Sequence, residues 1–199
     1  MQRFPRILDL AASAAGLFLL SPVLLVISAL VRSSSPGPIL YRARRVGQGG
    51  VEFTLLKFRS MKQDAAAVGS AITSANDSRI TGIGRFLRAT KIDELPQLVN
   101  VLRGEMCLVG PRPEDPRYIQ YYPDEFRRIL DLKPGITSAA SLTFVDESSL
   151  LRGEDHERVY IEEVLPEKLR IDLEWFDRAR VVDNIGLIVR TVLRKGVKA

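Results

Sequence analysis

The longest uninterrupted pattern in the chain is apolar. Residues 10–31 carry no charged side chain and are mostly Leu, Val, Ile, Ala and Phe, with Ser21-Pro22 near the middle. About 20 such residues suffice to cross a bilayer as a helix, and the run is longer than the roughly 7–15 residues of a signal-peptide core. Proline removes a backbone donor and crowds the preceding turn, so the pattern predicts a membrane helix broken at Ser21-Pro22. Ser21 is placed to satisfy a freed carbonyl where no water is at hand. Two topologies stay open, a kinked transmembrane helix and a re-entrant one. Arg3 and Arg6 precede the run, and Arg32, Arg42, Arg44 and Arg45 follow it. Positive flanks favour the cytoplasmic side, so the re-entrant form, which keeps both flanks there, is preferred.

Pro36-Gly37-Pro38 stops that pattern and divides the chain into a membrane segment, 1–35, and a body, 36–199. Residues 39–46 and 51–58 read as two strands joined through Gly47-Gln48-Gly49-Gly50, a small β-hairpin. Residues 63–79 are small and polar and read as a mobile loop. Ile80, Ile83, Phe86 and Leu87 then recur at helical spacing, as do Leu95, Leu98, Val99 and Leu102. Thr90 or Asp93 is a candidate cap for the second of these helices. Residues 106–109 form a short apolar strand; Gly110-Pro111-Arg112-Pro113 is a stiff turn; 114–132 look helical; 133–138 is another turn. Residues 146–157 are acidic and loop-like. Helices are expected over 166–178 and, amphipathic and basic, over 185–195. The whole reads as an α-rich α/β protein of monotopic membrane type, its interfacial helices amphipathic.

Composition narrows the chemistry. The 199 residues, 46% hydrophobic and 27% charged, suit one folded body. A net charge of +5 and a pI near 9.6 call for an anionic partner. One cysteine, Cys107, excludes an internal disulfide, and one histidine, His156, excludes the usual zinc ligand sets. Any metal would be a hard ion on carboxylate and phosphate oxygens, which favours Mg2+. Between Arg32 and Lys62 stand seven basic residues against one acid, Glu52. Positive-side anchoring explains Arg42 to Arg45, but Lys57 and Arg59 lie at the far end of the hairpin and suit a polyanionic ligand.

The candidate centre is Lys91-Ile92-Asp93-Glu94-Leu95-Pro96-Gln97. An acidic pair ahead of an apolar helical pattern is most often a cap, and a helix N-terminus would hold Asp93 ionised. Its context is less ordinary: Arg88 precedes it, and Arg112 follows between two prolines that reduce the entropy lost on clamping a phosphate.

Five motifs in order carry a resemblance that runs nearly end to end. They are Lys57-Phe58-Arg59-Ser60-Met61, Asp93-Glu94-Leu95-Pro96-Gln97, Leu108-Val109-Gly110-Pro111-Arg112-Pro113, Lys133-Pro134-Gly135-Ile136-Thr137, and the stretch from Leu165-Pro166 through Lys168-Leu169 to Asp172-Leu173. Together they resemble the small monotopic bacterial phosphoglycosyl transferases, which move a sugar-1-phosphate from a UDP-sugar to polyprenol phosphate. The resemblance implies a re-entrant helix broken at Ser21-Pro22, and a site on the cytoplasmic face of the bacterial inner membrane. Asp93 would attack the sugar-bearing phosphate and release UMP, and polyprenol phosphate would then discharge the phosphosugar. Glu94 would assist by metal or proton handling, Asp93 and Glu94 would hold Mg2+, and Lys57, Arg59, Arg88 and Arg112 would bind phosphate. The implied partners are the UDP-sugar, polyprenol (undecaprenyl) phosphate and membrane lipids, with a homodimer as an allowed assembly. Two positions depart from the family: Cys107 replaces a usual Ser, read as a packing change, and Ser138-Ala139-Ala140-Ser141 replaces a usual Gly-aromatic-or-Leu-Ala-Gln run.

The rival reading is a non-catalytic, membrane-anchored basic protein that binds anionic lipid or an assembly partner. It explains the apolar run and both basic segments, but not an acidic pair set among arginines. Nucleic acid is not an expected partner, since the chain has a membrane segment and few aromatic platforms.

Overall fold

The computed structural model describes residues 4–62, 77–145, 147 and 155–196. The expected loop over 63–79 and the acidic stretch over 146–157 lie largely outside them.

Helix α1 (Arg6–Ser34) is continuous, so the expected break at Ser21-Pro22 does not interrupt it. The reason is local. Pro22 lacks the N–H that would bond the Phe18 carbonyl four residues back, and the Ser21 hydroxyl donates to that carbonyl instead, at 2.8 Å. One side of α1 is seated on the body at Asp9, Ser13, Ile27 and Val31, with Gly16 against Leu98 between them. The opposite side is apolar and bare, Phe18 79% exposed and Leu19 and Leu25 both 72%. By length and composition α1 could cross a membrane.

Both ends of α1 are fastened to the body. At the N-terminal end the Arg6 guanidinium donates to the Val101 and Met106 carbonyls at 2.6 and 3.3 Å, and Asp9 Oδ1 accepts from the Leu108 N–H at 2.9 Å. At the C-terminal end the Arg59 guanidinium donates to the Val31 and Ser35 carbonyls at 3.2 and 2.6 Å. Arg59 thus satisfies carbonyls that the end of a helix leaves free. Ile27 and Val31 complete an apolar cluster with Phe58 and Leu87.

The hairpin is as its alternation predicts: β1 (Leu40–Val46) pairs antiparallel with β2 (Glu52–Phe58), Leu40 opposite Phe58 and Val46 opposite Glu52. Helix α2 (Gly82–Thr90) is capped by Thr81, whose hydroxyl accepts from Gly84 N–H. Gly84 is required there, because a Cβ would fall 1.9 Å from the Ser60 carbonyl. A 3-10 turn (Ile92–Glu94) leads to α3 (Gln97–Leu102). Strand β3 (Cys107–Val109) lies parallel to β4 (Gly135–Thr137), so residues 135–137 form a strand where a turn is expected. Cys107 is buried with Sγ against the Val109 and Pro134 carbonyls. The segment 114–132 is helical in 3-10 form, Pro116–Tyr121 and Asp124–Asp131.

The last third supplies the largest apolar cluster. Tyr118, Tyr122 and Ile129 pack against Tyr160, Val164, Leu165, Leu169 and Leu173. After the short α4 (Ala139–Thr143), a helical lead-in with a π-helical turn (Tyr160–Val164) runs into α5 (Leu165–Arg178). Helix α6 (Val181–Gly196) is held by Trp175 Nε1, which donates to Asn184, and by contact between the Thr137 and Thr191 hydroxyls. Its outer side leaves Val182, Ile185, Val189, Val192 and Leu193 exposed, as expected of an interfacial helix.

Candidate active site

The turn that carries the acidic pair begins at Lys91, the one non-glycine residue with positive φ among the described residues (φ 57°, ψ 15°). Such a left-handed residue costs about 1–3 kcal/mol and tends to sit where function requires a fixed aim. Here it ends α2 and swings the chain into the 3-10 turn that buries Asp93 and Glu94. Neither acid is a helix cap. Helix α3 begins after Pro96 with no side-chain cap, and the Thr90 hydroxyl donates back to the Phe86 and Leu87 carbonyls.

Helix α3 is latched onto the hairpin by Asn100, which is fully buried. Its Oδ1 accepts from Leu56 N–H at 3.0 Å, and its Nδ2 donates to the Thr54 carbonyl at 2.7 Å and to Glu105 at 2.6 Å. That latch brings Lys57, next along β2, beside Glu94 at 3.4 Å. From the other side comes Arg112, on a turn stapled to β4 by Gly110 N–H on the Thr137 carbonyl and Gly135 N–H on the Pro111 carbonyl. Gly135 packs so closely that a Cβ would lie 2.0 Å from Gly110 N. Arg112 grips Glu94 with two nitrogens, at 2.7 and 3.3 Å, and keeps 34% of its side chain exposed.

The two adjacent acids therefore have opposite electrostatics. Burial by itself would raise the Glu94 carboxyl, but Arg112 and Lys57 outweigh it and hold Glu94 well below the usual carboxylate range. Among the described residues Asp93 accepts no side-chain hydrogen bond, and its Oδ1 is sealed in without a partner. Burial raises its carboxyl above the ordinary value, Glu94 adds to the rise, and Lys57, Lys91 and Arg88 oppose it. The expectation that a helix terminus holds Asp93 ionised is thus corrected; these three cations favour the charge, and burial works against it. Burial also lowers the Lys57 ammonium to about 8, against the pull of Glu94.

The structure brings Asp93, Glu94, Lys57, Arg88 and Arg112 together. Arg59 is turned elsewhere: it is buried beneath the end of α1, with its guanidinium on the Val31 and Ser35 carbonyls. Beyond Arg112 lies a cavity of about 40 Å3, lined in part by Glu114, Tyr122, Lys168 and Asp172. At that size it admits a few waters and no sugar. Sequence reasoning missed Asn100, whose signal was a lone amide inside an apolar helical pattern. It also missed Asp9, a single acid at the edge of the apolar run.

A family model described as bacterial sugar transferase matches residues 1–197 of the chain. The chain belongs to the bacterial sugar transferase family. Its relatives include a UDP-glucose:undecaprenyl-phosphate glucose-1-phosphate transferase of Caulobacter vibrioides, 37% identical over 94% of this chain and 67% of the relative. An Escherichia coli protein of the same description is 35% identical over 94% of this chain and 39% of its own length. A UDP-N-acetylgalactosamine-undecaprenyl-phosphate N-acetylgalactosaminephosphotransferase of Aeromonas hydrophila is 37% identical over 68% of this chain and 33% of its own length. The chain thus spans a third to two thirds of these sugar transferases, and their named sugars differ.

Proposed function

We propose that this chain transfers a sugar-1-phosphate from a UDP-sugar to polyprenol phosphate through a phosphosugar carried on Asp93. The supporting observation is the asymmetry of the acidic pair. Glu94 is neutralised by Arg112 and Lys57, while Asp93 is enclosed, free of any ion pair and surrounded at longer range by cations. A carboxylate nucleophile needs that freedom, and it needs positive charge nearby to meet a diphosphate. An Asp93 oxygen bonds to the sugar-bearing phosphorus, and the bond to the UMP oxygen breaks with its electron pair. An oxygen of polyprenol phosphate then bonds to the same phosphorus, and the pair returns to Asp93. Arg112, partly exposed, and Arg88 hold phosphate oxygens; Lys57 keeps Glu94 charged and in place.

As placed, the acidic pair does not fit a two-carboxylate Mg2+ site, because Arg112 engages both Glu94 oxygens and Asp93 Oδ1 is sealed from solvent. Asp93 and Glu94 are adjacent hard carboxylates, and no group of three or more His, Cys, Asp or Glu occurs among the described residues. The oxygens around a Mg2+ ion would then come mainly from the substrate and water, as magnesium accepts, and the ion would offset diphosphate charge.

The membrane segment is read as re-entrant, with 36–199 as the body on the cytoplasmic face of the bacterial membrane. At about 44 Å the continuous α1 is long enough to cross a bilayer core of about 30 Å, so the case for re-entry rests on how its ends are held. Fastening both ends of α1 to one body argues against a helix whose far end emerges on the other side. Cysteines introduced at Arg3 and Ser34 should label from the same side; labelling from opposite sides refutes this topology.

The decisive assay gives the full chain a panel of UDP-sugars with Mg2+ and polyprenol phosphate and measures UMP. At least one sugar should release UMP, and Asp93→Asn should abolish release. Full activity in Asp93→Asn rejects the nucleophile; no UMP from any UDP-sugar favours the anchored lipid-binding protein.

A further inference from the structure

One turn downstream of Asp93 stands Gln97, whose side chain has no role in the reading so far. It is 1% exposed, and its Nε2 is buried with no hydrogen-bond partner. Asp93 Oδ1 is in the same condition. An orphaned donor and an orphaned acceptor are each costly, and finding both buried within one turn is unusual. Residues 92–102 form a nearly continuous helical path, with Leu95 and Pro96 in right-handed conformation between the 3-10 turn and α3. Positions four apart on such a path face the same side, and Gln with Asp is a recognised hydrogen-bonding pair at that spacing. Neither orphaned atom is open to a ligand, since both are sealed from solvent. The two do not bond each other as placed, yet each is the kind of partner that the other lacks.

We propose that Gln97 is the positioning residue for the nucleophile: its amide donates to Asp93 Oδ1, reserving that oxygen and leaving the second oxygen to attack phosphorus. The proposal rests on the covalent reading above and assigns the two oxygens of Asp93 different tasks. In the loaded enzyme Oδ1 is the carbonyl oxygen of the acyl phosphate, and the other oxygen bridges to phosphorus. When polyprenol phosphate attacks, the bridging bond breaks and negative charge spreads back onto Oδ1, where the Gln97 N–H stabilises it. The hydrogen bond thus has its largest effect on discharge and on the rotamer of the free carboxylate. Substrate binding is not its task, because its amide is sealed from solvent.

The test compares wild type, Gln97→Met and Asp93→Asn as full chains, given the UDP-sugar that the panel identifies. Three quantities are read: kcat, the KM for the UDP-sugar, and the decay of the phosphosugar-loaded protein after polyprenol phosphate is added. Gln97→Met should lower kcat about 10- to 100-fold, the range for one hydrogen bond to a charged group, with KM within about twofold. The loaded Gln97→Met protein should also decay more slowly than the loaded wild type. Unchanged kcat and decay overturn the proposal, and so does a loss that only tracks the fraction of folded protein in a thermal melt. If Gln97→Met does not fold, Gln97→Glu has the same shape but offers an acceptor in place of the donor. It should show at least as large a loss, and wild-type rates in that variant also overturn the proposal. A wild type that forms no loaded protein removes the covalent reading itself. A wild type that loads while Gln97→Met behaves identically removes only the role of Gln97.

Discussion

Asp172→Asn offers a quantitative check on the electrostatics of the body. Asp172 lies on α5, 3% exposed, and its Oδ1 accepts from the Ala140 N–H at 2.8 Å. Burial pushes its carboxyl from 3.8 up to about 7, and the Ala140 and Ser138 hydrogen bonds and the Lys168 charge offset only part of that. The sign follows from proton counts. Between pH 3.8 and about 7 the folded carboxyl keeps a proton that the unfolded chain has lost, so stability falls as pH rises through that window and levels off above it. The displacement corresponds to about 4 kcal/mol, an upper figure for the cost of the charge above pH 7. Asparagine keeps an oxygen for the Ala140 N–H and carries no charge. The variant should therefore match wild type near pH 4 and exceed it increasingly up to pH 8, by about 2–4 kcal/mol. Denaturant melts in one detergent at half-unit pH steps give the difference directly. A gap that does not change with pH, or a wild type that is the more stable at pH 8, refutes the reasoning.

Two further substitutions probe the site and its support. Arg112→Leu leaves buried Glu94 with Lys57 alone; unpairing a buried charge costs about 3–5 kcal/mol, and the partial exposure of Arg112 reduces that to about 2, read as a lower melting midpoint together with loss of UMP release. Arg112→Lys keeps the charge but not the two-nitrogen grip, so it should recover stability more than activity. Asp9→Ala strands the Leu108 N–H and should cost about 1–3 kcal/mol in the same melts, whereas Asp9→Asn, which can still accept, should recover most of it.

What the sequence disclosed and what it hid divide along physical lines. The hairpin was legible because alternation and a glycine loop are local signals, and the long N-terminal helix because its apolar run is long. Ser21 was legible as the compensator of Pro22 because the lost bond lies within one turn. The parallel pairing of β3 with β4 was not, since each strand is three residues long and the partners are far apart in the chain. The acidic pair looked like a cap because caps and buried acids share the same neighbours in sequence; the left-handed Lys91 decides otherwise, and a lysine does not announce positive φ. Lys57 and Arg59 have the same parity and read as one cationic pair. The strand ends at Phe58, so Arg59 leaves the pleat and turns beneath α1 while Lys57 faces Glu94. Gln97 sat in a recognised motif, yet only its burial and its unpaired amide single it out.

Those placements link the membrane helix to the chemistry. Arg59, which holds the C-terminal end of α1, follows Lys57 by two residues. Leu108, which holds Asp9 at the other end, lies on β3, the strand that leads through Gly110 and Pro111 into Arg112. Lys57 and Arg112 are the two cations that flank Glu94, so each end of α1 is fastened beside one of them. A displacement of either end relative to the body would shift one cation against Glu94. The charge held on Glu94 in turn bears on Asp93, because it adds to the rise that burial imposes there. An apolar helix seated along one face and tied at both ends keeps the carboxylates and cations in register. On this arrangement α1 is part of the framework of the site as well as its anchor.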